Sequence, residues 1–309
     1  MPDFAVLCGG LGGSRLVDAL VQTAGPAAVT AIVNVGDDLE FLGLQVSPDL
    51  DTVLYTLAGL LDEERGWGVR EETTNALATA ERLGGESWFT LGDRDIGLHL
   101  VRTAALRAGE PLSAVTARLA EALGVETRLL PSSDEHIGTI VVTPGGELDF
   151  QSWFVGRRHA DPVLGVRFEG AEAARPAPGV LEALATAERV LIAPSNPFVS
   201  IDPILAVPGV RAAVEARRAD VCAISPIVGG RALRGPLAEM LGSLGHEPTA
   251  DGVARLYADL VSTFVLDPAD AELAPAIESL GLRAVVVPTV MVDPLNREEI
   301  GRGVVEALT

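Results

Sequence analysis

Positive charge and aromatic rings are both scarce in this chain: 23 Lys and Arg stand against 43 Asp and Glu, and aromatic residues make up 4% of 309 positions. The formal charge of −20 repels a phosphate backbone, and no basic run or helix stripe offsets it, so nucleic acid is not an expected partner. An anionic small substrate then needs local cations or a metal ion set against the general field. Cysteine occurs twice, at Cys8 and Cys222, without CxxC or Cys/His spacing. That excludes a disulfide framework and a thiolate zinc site, and leaves two core thiols. Long apolar runs are missing as well: Val190 to Ala193 and Ala284 to Val287 are far too short for a bilayer, and a strand begins without a basic leader. A cytoplasmic protein with no membrane partner is expected. No nucleophile elbow, no Ser/His/Asp order and no zinc spacing among the histidines are visible, which removes covalent hydrolase chemistry.

What is present is alternation. Phe4 to Cys8, Val29 to Asn34, Ile137 to Thr143, Arg189 to Ala193, Asp220 to Ile224, Ser262 to Leu266 and Arg283 to Val287 read as strands, most followed by helix-length segments. This pattern predicts an α/β fold with a Rossmann-like, mostly parallel sheet. Near residues 50–124 consecutive helical stretches replace it, which predicts a helical subdomain inserted in a single compact domain spanning 1–309. Pro144-Gly145-Gly146 between two extended runs is a hairpin signal.

The first strand runs into Gly9-Gly10-Leu11-Gly12-Gly13-Ser14-Arg15, and a helical apolar pattern follows. Glycines let a backbone approach a phosphate, and the free amides and dipole of the next helix favour an anion. Gly9, Gly10, Gly12, Gly13, Ser14 and Arg15 are therefore candidate nucleotide ligands, although tight packing of helix on sheet is the simpler use of such a turn. The Gly-Lys-Ser/Thr ending of a Walker loop is absent. On the phosphate reading, Gly12→Val is expected to block the ligand and spare the fold.

Asp37 and Asp38 follow the second strand, and Asp49 and Asp51 follow soon after in Ser47-Pro48-Asp49-Leu50-Asp51-Thr52. Acids at the carboxyl ends of strands suit Mg²⁺, a hard cation that neutralises a diphosphate. All four are candidate metal ligands; Asp37 and Asp38 serve equally as turn formers and Asp49 as a helix cap. Asp51 or Asp37 is the candidate for orienting or deprotonating an attacking hydroxyl. Asp95, His99 and Arg102 share one helix face, either functional or solvated. Trp67 and Trp88 are either core or platforms for a flat ring. Ser195, Asn196, Ser225 and Gly229 follow later strands and face the same crevice as the glycine turn on a Rossmann-like sheet.

The set of Gly9 to Arg15, Asn34 to Asp38, Ser47 to Leu54, Gly66-Trp67-Gly68, Leu91-Gly92-Asp93-Arg94-Asp95, Gln151 to Val155, Ala193 to Pro197 and Ser225 to Gly230 resembles the 2-phospho-L-lactate transferases of coenzyme F-420 biosynthesis, including bacterial members that use phosphoenolpyruvyl donors. The resemblance spans nearly the whole chain. It implies a guanosine diphosphate-linked small-acid donor, the deazaflavin Fo as acceptor, release of GMP, and a homodimer. It associates Asp51 and Thr90 with the deazaflavin, Trp88 and Asp93 being added from their neighbourhood, and relatives often carry a basic residue where this chain has Thr90. A related family of nucleotide-sugar-binding regulators, without catalysis, is the rival reading. Whether the donor carries phospholactate, phosphoenolpyruvate or phosphoglycerate is not legible.

Overall fold

Strands made of unbroken apolar residues persist only where both faces of a sheet are covered. Phe4–Cys8 is such a strand, with every residue buried. The computed structural model describes residues 3–233 and 235–308. Its central sheet has seven parallel strands: β1 (Phe4–Cys8), β2 (Val29–Val33), β3 (Arg128–Pro131), β4 (Arg189–Ile192), β5 (Val221–Ile224), β6 (Thr263–Leu266) and β7 (Arg283–Val286). They lie in the order β7-β6-β5-β4-β1-β2-β3. β1 pairs with β2 from Phe4↔Val29 to Cys8↔Val33, and with β4 from Phe4↔Arg189 to Leu7↔Ile192. This is the Rossmann-like order expected, extended by one strand. The chain reverses its direction of travel between β1 and β4, and a crevice opens at the carboxyl ends of such a pair.

Two differences from the sequence reading concern strands. β3 was not expected, because Arg-Leu-Leu-Pro is short, lacks β-branched residues and ends on proline; it sits at the sheet edge, where proline is tolerated. Gly138–Thr143 is a strand, but outside the main sheet: it is the middle of a three-stranded antiparallel sheet with Gly146–Asp149 and Gly165–Glu169. The expected hairpin is there, Thr143 pairing with Gly146. Beyond it the chain turns through a short π-helical segment, Ser152–Gly156, instead of staying extended.

Between β2 and β3 come the helices α2 (Pro48–Leu57), α3 (Asn75–Arg82), α4 (Asp93–Arg107) and α5 (Leu112–Ala122); α1 (Gly10–Ala24) follows β1. Leu50, Val53 and Leu54 of α2 and Val115 and Leu119 of α5 join the same core as β1 and β2. Leu77 of α3 and Leu91 form a smaller cluster with Phe41 and Val46. Both cysteines are buried and free, as expected. Among the described residues no single helix is long and apolar enough to cross a membrane.

Asp202 opens the helix Asp202–Ala206. Burial raises its carboxyl to about 6, against a smaller lowering by Arg211. The native state therefore holds a proton that the unfolded chain has lost between about pH 4 and 6, and stability falls as pH rises through that window. Asp202→Asn removes the charge that must be buried at neutral pH. We expect it to stabilise the protein at pH 8, by no more than about 3 kcal/mol, and the gain to vanish near pH 4; thermal melts across that range measure it. A gain that does not depend on pH would contradict the burial argument.

Candidate active site

The crevice at the β1/β4 switch is a cavity of about 760 Å³. Its floor is the glycine turn: Gly9, Gly10, Leu11, Gly12 and Arg15 line it. Most of the glycines serve close packing. A Cβ on Gly9 would meet Asp49 Oδ2 and Ser200 Cβ, one on Gly12 the Pro194 carbonyl oxygen, and one on Gly13 both Cys8 Cβ and Ser195 Oγ at 2.8 Å. Gly10 alone of the four has a left-handed backbone, φ 61°. The first amide of α1 is taken by a side chain, since Gly10 N donates to Asp49 Oδ1 at 2.6 Å. Asp49 thus caps α1, not the helix in which it lies. The idea that Gly12→Val spares the fold is corrected: the clash is with rigid backbone. Even Gly12→Ala should cost about 1–3 kcal/mol by overpacking, read as a lower melting temperature; an unchanged melt would show that the Pro194 loop yields.

One asparagine joins two carboxylates above this floor. Asn34 follows β2, and its Nδ2 donates to Asp49 Oδ2 at 2.9 Å and, more weakly, to Asp37 Oδ1 at 3.4 Å, as well as to the Val199 carbonyl. Its own Oδ1 accepts from Gly36 N, closing the turn that presents Asp37. Gln151 Nε2 holds the other side of Asp37 at 3.1 Å. Both acids line the cavity and both are buried. Burial first, then the neighbouring Asp49 and Asp38 charges, raises Asp37 well above the ordinary carboxylate range. Burial raises Asp49 to about 6, against lowering hydrogen bonds from Asn34 and Gly10.

The other two acids are engaged elsewhere. Asp51 follows Asp49 by two residues on α2, which turns it to another face of the helix. Its carboxylate is gripped by Arg102 of α4, Nη1 donating to Oδ2 at 2.9 Å and Nη2 to Oδ1, with His99 Nδ1 at 3.7 Å. Asp51 does not line the cavity. Asp38 accepts from Ser47 Oγ at 2.7 Å and faces a smaller hollow of about 230 Å³ beside Trp88 and His136, which Asp37 also borders. Among the described residues no three His, Cys, Asp or Glu side chains converge as a ready metal cage. Of the four aspartates expected from the sequence, Asp37 and Asp49 line the larger cavity.

The remaining wall holds four aromatic residues, Trp67, Phe89, Phe150 and Phe154, with Thr90 among them. Phe150 and Phe154 stack with ring centroids 5.4 Å apart, a geometry set by the π-helical turn after the hairpin. Trp88 lies outside this cavity, packed edge-on to Phe41 and Phe89. Asp93 is also outside it; it caps α3, accepting from Thr73 Oγ1, Asn75 N and Ala76 N, and these bonds hold its carboxyl near 2. Ser14 is fully buried and bonded to Leu11 O and Thr56 Oγ1, which makes it a packing residue. Ser195, Asn196 and Ser225 line the opposite side, Ser195 Oγ donating to Gly9 O at 2.7 Å. Gly229 does not; its amide binds Asp270. Asp95, His99 and Arg102 do share a face of α4, a buried one: Tyr55 donates to Asp95 at 2.6 Å, and burial lowers the pKa of His99.

Sequence reasoning passed over Asn34 and Gln151 as side chains of the site, although both lie within quoted motifs. An amide at the end of a strand feeding an acidic loop was the available signal. Nothing local announced Arg102 as the partner of Asp51.

A sequence profile described as 2-phospho-L-lactate transferase CofD matches residues 4–290. Two proteins described as phosphoenolpyruvate transferase, from Streptomyces griseus and Kitasatospora aureofaciens, are 44% and 43% identical to this chain. The alignments cover 93% and 96% of it, and 92% and 94% of those proteins. In structure, a member of the UPF0052 family from Bacillus halodurans aligns with a TM-score of 0.65 over 99% of both chains at 16% identity, a likeness of fold alone.

Proposed function

Because this chain belongs to the 2-phospho-L-lactate transferase CofD family, we propose that its cavity carries a phospholactyl or phosphoenolpyruvyl group from a guanosine diphosphate-linked donor to the deazaflavin Fo, as a transferase of coenzyme F-420 biosynthesis. The observation that carries this reading is the placement of Asp37 and Asp49 between a glycine turn and an aromatic wall, within one cavity large enough for two ligands. The donor's diphosphate lies over Gly10 to Gly12 beside Arg15, its nucleoside toward Ser195, Asn196 and Ser225. The flat deazaflavin lies against Trp67, Phe89 and Phe154, near Thr90.

The family uses a divalent metal, and the residues present fit one. Asp37 and Asp49 are buried like charges tied to the same amide nitrogen, a pairing that a cation relieves, and Mg²⁺ bound by two carboxylates completes its shell with water and phosphate oxygens. When bound there it would neutralise diphosphate charge. The chain's own residues do the rest. The terminal ribityl hydroxyl of Fo attacks the phosphorus bearing the acid group, a new P–O bond forms, the bond to the bridging oxygen breaks, and GMP leaves. Asp37, presented at the cavity by the turn that Asn34 closes, orients that hydroxyl and accepts its proton. Arg15 and the cradle hold the donor in line, and positioning of this kind supplies much of such a rate. Asp51, tied to the deazaflavin by resemblance, is given a different task here: it fixes Arg102.

The test is titration with Fo and with GDP, followed by an assay of GMP release with a guanosine-linked donor and Mg²⁺. Binding of GDP and Fo with turnover supports the transferase. Binding of a nucleotide sugar with no affinity for Fo would replace it by the regulator reading.

A further inference from the structure

Arg15, the one cation of the glycine turn that lines the cavity, is tied to a carboxylate that a second arginine also claims. Arg15 Nη2 donates to Glu63 Oε2 at 3.0 Å, and Arg297 Nη2 donates to Glu63 Oε1 at 2.6 Å. The side chains of Arg15 and Arg297 are 6% and 3% exposed, so neither charge is screened by water. Arg297 also donates from Nη1 to Asp18 at 3.0 Å and from Nε to the Met291 carbonyl at 3.2 Å. Glu63 belongs to the loop that carries Arg65, Gly66 and Trp67 into the cavity wall, and Met291 is itself a wall residue.

Arg297 begins the C-terminal helix Arg297–Leu308, which lies beyond the residues 4–290 matched by the family profile. That helix closes on α1 because Gly301 leaves room for the Ala19 carbonyl, where a Cβ would collide. Thr23 of α1 also donates to the Glu298 carbonyl at 3.2 Å. The helix is thus seated where Arg297 can reach the glycine-turn arginine.

We propose that Arg297 draws the charge of Glu63 away from Arg15, so that Arg15 keeps its positive potential for an anionic diphosphate, and that the C-terminal helix is in this way a working part of the donor site. Without Arg297, both oxygens of Glu63 turn to Arg15 and neutralise it. Arg297 and Glu63 are positioning residues under this scheme; neither touches the reacting phosphorus. The proposal rests on the reading of the cavity as a diphosphate site.

Calorimetric titration of the full chain with GDP and Mg²⁺ tests it, with a thermal melt run on each variant. Wild type must bind GDP; if it does not, the donor-site reading fails before the present one is reached. Arg297→Gln, which keeps a hydrogen bond and removes the charge, should weaken GDP about tenfold or more. Arg297→Lys should stay within about threefold of wild type. Adding Glu63→Gln to Arg297→Gln removes the competitor as well and should recover most of the affinity, and the decisive variant is Glu63→Gln alone, which should bind GDP at least as tightly as wild type. A merely structural brace also predicts recovery in the double variant, because a buried pair removed whole strands no charge, but it predicts weaker binding by Glu63→Gln alone, which strands Arg15 and Arg297. Unchanged binding by Arg297→Gln, or a double variant no better than the single, overturns the proposal. If Arg297→Gln melts below the assay temperature, Glu63→Gln alone decides: it must bind GDP at least as tightly as wild type, and weaker binding overturns the proposal.

Discussion

Asp37→Asn should lower turnover by roughly 10²-fold or more and, at neutral pH, raise the melting temperature of the ligand-free protein. The two effects have one cause. Asp37 is buried beside Asp49, and burial together with that neighbouring charge makes its ionised form costly. Asn fills the same space and keeps an acceptor for Gln151, giving up only the long 3.4 Å bond from Asn34, so the native state loses a like-charge repulsion and no packing. The reaction loses the group that takes the hydroxyl proton and one of the two carboxylates fitted to a divalent cation. GMP release with Fo and a guanosine-linked donor, measured beside a melt without ligand, reads both. Wild-type turnover in a folded Asp37→Asn protein would remove Asp37 from the chemistry. A falling melting temperature would show that Asp37 is held by favourable contacts that outweigh its burial.

The second large effect belongs to Asp51, and it falls on stability. Asp51 and Arg102 are 7% and 2% exposed at their side chains and meet through two hydrogen bonds. Breaking a buried pair from one side leaves the other charge uncompensated, at a cost of about 3–5 kcal/mol. Asp51→Asn should therefore lower the melting temperature by roughly 5–10 °C, although Asn suits the first turn of α2 as well as Asp does. Adding Arg102→Met removes the stranded cation, and most of the loss should return. Circular dichroism melts of the two single variants and the double variant measure this cycle. If Asp51→Asn instead melts like wild type while turnover collapses, Asp51 acts on the acceptor directly, as the resemblance implies, and the ion pair is incidental.

Much of the fold was legible because its determinants are local. Phe4 to Cys8, a glycine turn and an amphipathic run form a strand, turn and helix from their own sequence, and each later apolar run announces a strand covered on both faces. The acids after β2 were legible for the same reason, since the carboxyl end of a strand in such a sheet is a predictable place. Local pattern has no hold on a short edge strand such as Arg128–Pro131, whose extended form comes from pairing with β2. Nor does it show that Gly138–Thr143 leaves the main sheet, because a β-branched run pairs as well in one sheet as in another.

The glycine turn shows the boundary most clearly. Sequence placed four glycines where a ligand would need them, yet the structure spends three of them on Asp49, Pro194 and Ser195, whose loops must close over the turn before any cavity exists. By itself the sequence determined the sheet class and set glycines and acids at the carboxyl ends of its first two strands. The tertiary structure decided which acids face the cavity. Asp49 turns to Asn34 and Gly10, whereas Asp51 turns to an arginine 51 residues away. It also decided that the glycine-turn arginine shares Glu63 with Arg297, 234 residues beyond that glutamate. Such pairings are set by how whole helices pack against the sheet, and a charge carries no sequence mark of the partner that packing will bring to it.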